Sequence, residues 1–116
     1  MKIRFQADAD FNQNILLATV RREPSVEFQT AEAAGFTRRR DRDVLVTAAR
    51  EVRLLVTHDQ KTMPRHFAEF ITTETSPGLL VVPQHLTVAA VTEELLLICF
   101  ATEADEWINR MSYLPL

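Results

Sequence analysis

Short apolar runs alternate along the chain with longer segments in which apolar residues recur every three or four positions. The short runs predict β-strands over Lys2–Ala7, Val26–Thr30, Arg53–Thr57 and Gly78–Val82. The longer segments predict helices over Asn12–Arg22, from Asp41 or Asp43 to about Val52, over Thr62–Thr72 with an interruption near Pro64, and over Thr87–Ala101. Between and after these lie a helical turn stopped at Gly35 and a basic loop (Ala31–Arg40), a polar turn (Thr73–Pro77), and a last turn and edge strand (Trp107–Leu114).

Strands that alternate with helices indicate an α/β fold whose mainly parallel central sheet is covered by helices on both faces. The chain has 116 residues, of which 47% are hydrophobic, so it can build one ordinary core. The sequence shows no linker, internal repeat or low-complexity tract. We therefore expect a single domain over residues 1–116.

The charge pattern is uneven. A net charge of −3 argues against general polyanion binding, but Arg38, Arg39, Arg40 and Arg42 are close together, and such local clusters can hold phosphates. The N-terminus has no signal-peptide core, and no apolar run approaches the ~20 residues of a membrane span. These features predict a cytoplasmic protein without membrane partners.

Two scarce residue types exclude several kinds of site. Cys99 is the only cysteine, which excludes an intramolecular disulfide and a cysteine-based zinc site. Gly35 and Gly78 are the only glycines, which excludes a Walker loop and a dinucleotide-binding glycine loop. Phosphate chemistry in this chain would depend on a metal or on arginine.

Three acidic motifs carry the candidate chemistry: Asp8-Ala9-Asp10, Asp41-Arg42-Asp43 and Thr57-His58-Asp59. Asp8 and Asp59 follow predicted strands, and ligands of open parallel sheets bind beyond the carboxyl ends of the strands. Asp41, at a helix start, can point to the same edge. Clustered carboxylates are costly unless a cation neutralises them, and oxygen ligands suit Mg²⁺ or Mn²⁺. We expect Asp8, Asp10, Asp41 and Asp59 to bind such a metal.

Several of these residues also have a simpler, purely structural interpretation. An aspartate at a helix start is often only a cap, which applies to Asp10, Asp41 and Asp43, and Asn12 is better explained as a cap than as a ligand. Thr57 can orient a carboxylate or satisfy local backbone groups. The predicted substrate-binding residues, each with a solvated surface role as its alternative, are Arg38, Arg39, Arg40, His58 and Lys61.

The same motifs resemble those of bacterial PIN-like domains, in particular a small branch often encoded beside antitoxin-like genes. The resemblance covers the strand ending in Asp8-Ala9-Asp10-Phe11-Asn12, the helix starting Asp41-Arg42-Asp43-Val44-Leu45, the strand Leu54–Asp59 and the final Tyr113–Leu116. It implies an α/β/α sandwich and a Mg²⁺- or Mn²⁺-dependent ribonuclease, the toxin of a toxin–antitoxin pair. Asp8, Asp41 and Asp59 match the acidic positions of the family, with Asp43 in a supporting role. RNA and an antitoxin protein are the partners that the resemblance implies. Independently of it, the apolar density of Val88–Phe100 exceeds what one helix face needs, and either core burial on both sides of that helix or a dimer or partner surface would explain it.

One departure affects the expected activity. Many relatives have a further aspartate two residues after the Thr-x-Asp motif, where this chain has Lys61. The alternative is therefore a catalytically weak or inactive PIN-like module that binds protein or RNA. A response-regulator receiver domain has a similar acidic pattern but needs a lysine after its last strand, and Lys2 and Lys61 are the only lysines.

Overall fold

The computed structural model describes residues 2–116. Within this range it contains a five-stranded sheet whose strands are β1 (Arg4–Ala7), β2 (Glu27–Gln29), β3 (Leu54–Thr57), β4 (Leu79–Val81) and β5 (Met111–Tyr113). Their order in the sheet is β2-β1-β3-β4-β5, and every neighbouring pair is parallel. The predicted α/β fold with a parallel central sheet is confirmed, and the sheet is parallel throughout.

The helices cover both faces of this sheet. They are α1 (Gln13–Arg22), α2 (Ala31–Ala34), α3 (Asp41–Glu51), α4 (Thr62–Phe70) and α5 (Val88–Ala101), with a 3-10 helix at Ala104–Trp107. Leu54 and Val56 pack into the core beneath α1 and α5, whereas Leu55 packs into the core beneath α3 and α4. Successive strand residues face opposite sides of a sheet, so a strand buried on both faces is apolar throughout. This explains the continuous apolar run of β3.

Local sequence signals set most of the helix ends. The Asn12 side chain accepts a hydrogen bond of 2.9 Å from the Asn14 N–H, as expected of the cap of α1. Gly35 has a φ of +74° and ends α2, which confirms the predicted helical turn.

The interruption predicted near Pro64 is wrong. Pro64 is the third residue of α4, which runs unbroken from Thr62 to Phe70. The first N–H groups of a helix have no partner within the helix, so the missing N–H of a proline costs nothing there.

Helix α5 is confirmed as a long apolar helix, and the Thr87 hydroxyl caps it by accepting a hydrogen bond from the Ala90 N–H. Leu95, Leu96 and Ile98 are buried, but Leu97 and Phe100 are 53% and 68% exposed. The sheet core therefore accounts for only part of the apolar excess of this helix. Within the part of the chain that the structure describes, no helix is long and apolar enough to cross a membrane.

The strand order places a site between β1 and β3. In a sheet of this order the chain proceeds in opposite directions from β1 and from β3, which opens a crevice beyond their carboxyl ends. Ala7 pairs with Val56 in the register of these two strands. The segments that follow them, beginning at Asp8 and His58, are therefore adjacent.

Candidate active site

Asp8 and Thr57 form the centre of the candidate site. The Asp8 N–H continues the strand pairing by donating to the Val56 carbonyl over 3.0 Å. The buried Thr57 hydroxyl donates to Asp8 Oδ2 over 2.7 Å, and the Ala9 N–H donates to Asp8 Oδ1 over 2.8 Å. Both carboxylate oxygens of Asp8 are thus held in a fixed orientation. Of the two roles considered for Thr57, orientation of a carboxylate is the one that its hydroxyl performs.

The surroundings of Asp8 oppose its negative charge. Burial raises the pKa of Asp8, hydrogen bonds from Thr57 and Ala9 lower it, and the charges of Asp41 and Asp10 raise it again, with a net increase above the ordinary value. Asp8, Asp10 and Asp41 therefore act on one another electrostatically, although they come from the position directly after β1, the turn that follows it and the start of α3. A cation beside Asp8 would relieve both burial and repulsion.

Asp41 also faces His66, a residue that no motif in the sequence marked as functional. His66 Nε2 on α4 lies 3.9 Å from Asp41 Oδ2, with both side chains half-buried. The proximity depends on how α3 packs on α4, so motif spacing could not reveal it. A protonated His66 would partly neutralise Asp41.

Asp59 is oriented differently from Asp8. Its Oδ1 accepts hydrogen bonds from the backbone N–H groups of Lys61 and Thr62, at 2.8 and 2.9 Å. Its Oδ2 accepts from the Met63 N–H at 3.1 Å and from the Thr62 hydroxyl. Burial favours the neutral acid, but these hydrogen bonds together lower the pKa of Asp59 to about 2. Both oxygens thus serve the N-terminus of α4, so metal binding by Asp59 would compete with these bonds.

His58 also has backbone partners at both ring nitrogens. Nδ1 is 2.8 Å from the Val82 carbonyl, and Nε2 accepts from the Asn12 N–H at 3.1 Å, so the ring is neutral with its proton on Nδ1. The ring also stacks on Phe11 at a centroid distance of 4.8 Å. His58 joins the ends of β3 and β4 to the start of α1, and a phosphate could contact its nitrogens only by displacing one of these partners.

The remaining predicted residues surround this centre on the surface. Arg38, Arg39 and Arg40 are exposed on the segment that leads into Asp41, and Arg39 Nε donates to the Gly35 carbonyl over 3.2 Å. Lys61 is exposed directly before α4. Asp43 is half-buried in the first turn of α3. The exposed positions of the three arginines and Lys61 allow contact with a bound polyanion, which stays a prediction for each of these four residues, as does the supporting role of Asp43.

The side chains fit a divalent cation in charge and ligand type. The pKa of the Asp8 carboxylate is raised in part by the charges of Asp41 and Asp10, and hard oxygen donors are what Mg²⁺ and Mn²⁺ prefer. Over residues 2–116, however, no three His, Cys, Asp or Glu side chains are arranged closely enough to hold an ion. A cation would therefore require Asp10 and Asp41 to adjust around Asp8.

Comparisons with protein-family models, with curated proteins and with solved structures gave no match. The PIN-like resemblance thus stays a prediction from the motifs. The receiver-domain alternative meets a specific obstacle, because the residue directly after β5 is the buried Leu114 where that mechanism needs a lysine.

Proposed function

We propose that this protein is a divalent-metal-dependent ribonuclease that hydrolyses phosphodiester bonds in single-stranded RNA. The observation that carries the proposal is the state of Asp8: a half-buried carboxylate held by Thr57 at the carboxyl edge of a parallel sheet, with Asp10 and Asp41 close enough for their charges to raise its pKa. Like charges that act on a half-buried carboxylate are unfavourable for folding, and a bound divalent cation would neutralise them.

Asp8, Asp10 and Asp41 would hold Mg²⁺ or Mn²⁺, and Asp59 would join them only on release of its bonds to α4. When bound, such an ion activates a water molecule and stabilises the leaving oxygen of a phosphodiester. Thr57 and the Ala9 N–H keep the Asp8 oxygens in place for this role. Arg38, Arg39, Arg40 and Lys61 would bind the phosphates on either side of the cleaved bond.

The proposal is tested with a fluorescent single-stranded RNA and Mn²⁺. We expect cleavage by the natural chain, loss of cleavage on metal removal with EDTA, and at least a hundredfold lower rate for Asp8→Asn and for Asp41→Asn, on the order of the loss of a key electrostatic group. Asp105→Asn is the matched control, because Asp105 is an exposed residue of the 3-10 helix, and it should cleave normally. Uncleaved RNA with either metal, together with calorimetry that detects no metal binding, would reject the nuclease.

The toxin role extends this proposal to the cell. A ribonuclease toxin arrests growth when it is expressed without its antitoxin, so induction of the natural chain should stop growth and induction of Asp8→Asn should not. Equal growth of the two cultures despite RNA cleavage in vitro would separate the nuclease from the toxin.

A second candidate function is a non-catalytic interaction module. Two observations favour it: Asp59 is bound to the start of α4, and Leu97 and Phe100 are exposed on α5. If these apolar side chains form a homodimer, Leu97→Ser with Phe100→Ser should convert a dimer to a monomer in sedimentation experiments. Sedimentation of the natural chain as a monomer would rule out the homodimer.

A further inference from the structure

A small cleft opens beside Asp8, on the side towards β2. It has a volume of about 160 Å³ and lies between the end of β1, the start of α1 and the start of α2. Its apolar wall consists of Ala7, Phe11 and Leu16, all of which are buried. Pockets for drug-sized ligands measure roughly 300–1,000 Å³, so this cleft has room for one small ring system next to the candidate cleavage centre.

Two polar side chains at the mouth of the cleft have free hydrogen-bonding groups. Gln13, the first residue of α1, and Glu32, on α2, line the cleft and are exposed. Within residues 2–116 neither side chain makes a hydrogen bond or ion pair to another protein group. The Thr30 hydroxyl, which also lines the cleft, already accepts from the Ala33 N–H. Gln13 and Glu32 can therefore bind a ligand without breaking existing contacts.

The negative charge of the cleft determines which chemical groups of RNA it can bind. Asp8 and Glu32 both line it, so a phosphate would be repelled and a ligand that donates hydrogen bonds would be favoured. Among the bases, guanine has two adjacent donors, N1–H and the 2-amino group, on its Watson–Crick edge, and a carboxylate can accept both. The guanine O6 beside them is an acceptor for the Gln13 amide. Adenine, cytosine and uracil each lack this combination of donors and acceptor.

We propose that this cleft binds a guanine base of single-stranded RNA adjacent to the phosphate at Asp8, with Glu32 accepting from N1–H and the 2-amino group and Gln13 donating to O6. This deepens the proposed ribonuclease function and rests on it. The base enters against the apolar wall while its sugar and phosphate remain outside. Sequence-specific recognition of single-stranded RNA commonly uses unstacked bases in this manner.

The test measures binding separately from cleavage. Hexaribonucleotides of adenosine with a central guanosine, inosine or adenosine are titrated in EDTA into isotope-labelled protein, and the amide signals of Ala9, Gln13, Ala31 and Glu32 are followed. We expect the guanosine oligomer to bind roughly 5- to 100-fold more tightly than the adenosine oligomer, with inosine between them because it lacks the 2-amino group. Glu32→Gln should remove most of this preference, whereas Glu69→Gln, on α4 and outside the cleft, should retain it.

The outcomes separate this inference from the nuclease proposal. Guanine preference without any RNA cleavage would support the cleft and reject the nuclease. Cleavage with equal binding of the three oligomers, or a preference that survives Glu32→Gln, would overturn the guanine site and leave the nuclease standing. Failure of all three oligomers to shift the named amides would also overturn it.

Discussion

Thr57 couples the two strand ends of the candidate site through a single hydroxyl. It donates to Asp8 Oδ2 over 2.7 Å and accepts from the Asp59 N–H over 3.0 Å, and it is only 1% exposed. Thr57→Val keeps the shape but leaves both partners without their bond, which should cost about 1–3 kcal/mol of unfolding free energy. The pKa of Asp8 should rise further, because the lost bond favours its charged form.

Urea denaturation measures the first effect, and a pH titration of the Asp8 carboxyl carbon by NMR measures the second. Thr57→Ser, which keeps the hydroxyl, is the control and should retain most of the stability and the pKa of the natural chain. If Thr57→Val were as stable as Thr57→Ser, the hydroxyl would have no structural importance.

The positions of Asp8 and Asp59 could be predicted from the sequence, but the orientations of their carboxylates could not. Each follows an apolar strand, so their approach to one sheet edge was predictable from position. Their orientations were not, because they depend on where α4 begins. The Asp59-Gln60-Lys61-Thr62 segment resembles a helix cap as much as a metal motif, and the hydrogen bonds to Lys61, Thr62 and Met63 show that it serves as a cap.

At the scale of elements, α4 depends on this carboxylate for its start. Asp59→Ala removes the acceptor for three backbone N–H groups, and loss of an N-terminal cap costs about 0.5–2 kcal/mol. The pKa of Asp59 is about 2 in the fold, below the ordinary aspartate value of 3.8, so its charged form stabilises the fold. This contribution is complete above about pH 4 and is lost as the pH falls towards 2.

Urea denaturation of the natural chain and of Asp59→Ala at several pH values measures this contribution. The difference between the two should be constant near neutral pH and shrink between about pH 4 and pH 2. Asp43→Ala is the control. Asp43 is also an aspartate at the start of a helix, but within residues 2–116 no side-chain cap bond forms at the start of α3. A pH-independent difference would exclude ionisation of Asp59 as its source.

The extent of each element could be read from the chain because apolar period and capping residues are local signals. Asn12, Gly35 and Thr87 each end or begin a helix where the pattern indicated. The strand order could not be predicted, because no local signal shows that β1 pairs with β2 on one side and with β3 on the other. The exposure of Leu97 and Phe100 could not be predicted either, because a helix with apolar residues on both sides can equally be one that is fully buried.

At the scale of the whole molecule, Gly78 joins the sheet to the C-terminal segment at the end opposite the candidate site. It precedes β4 with a φ of +116°, and a Cβ there would lie 2.6 Å from the Trp107 carbonyl oxygen and 2.8 Å from Leu54 Cδ1. Gly78→Ala must therefore strain the backbone and displace the 3-10 helix from β3, with an expected loss of roughly 2–5 kcal/mol. Because the damage is remote from Asp8, the Mn²⁺ affinity proposed for that site should be unchanged in the molecules that remain folded.

Gly35→Ala is the matched control for this prediction. Gly35 also has a positive φ, +74°, but a Cβ built there meets no atom of residues 2–116 within 4 Å. Only the conformational cost of about 1–2 kcal/mol should appear, so urea denaturation should rank Gly78→Ala well below Gly35→Ala in stability. Equal losses for the two variants would show that backbone conformation, and not contact with Trp107 and Leu54, makes Gly78 necessary. That result would also show that the C-terminal segment can move away from the sheet at this point without a large loss of stability.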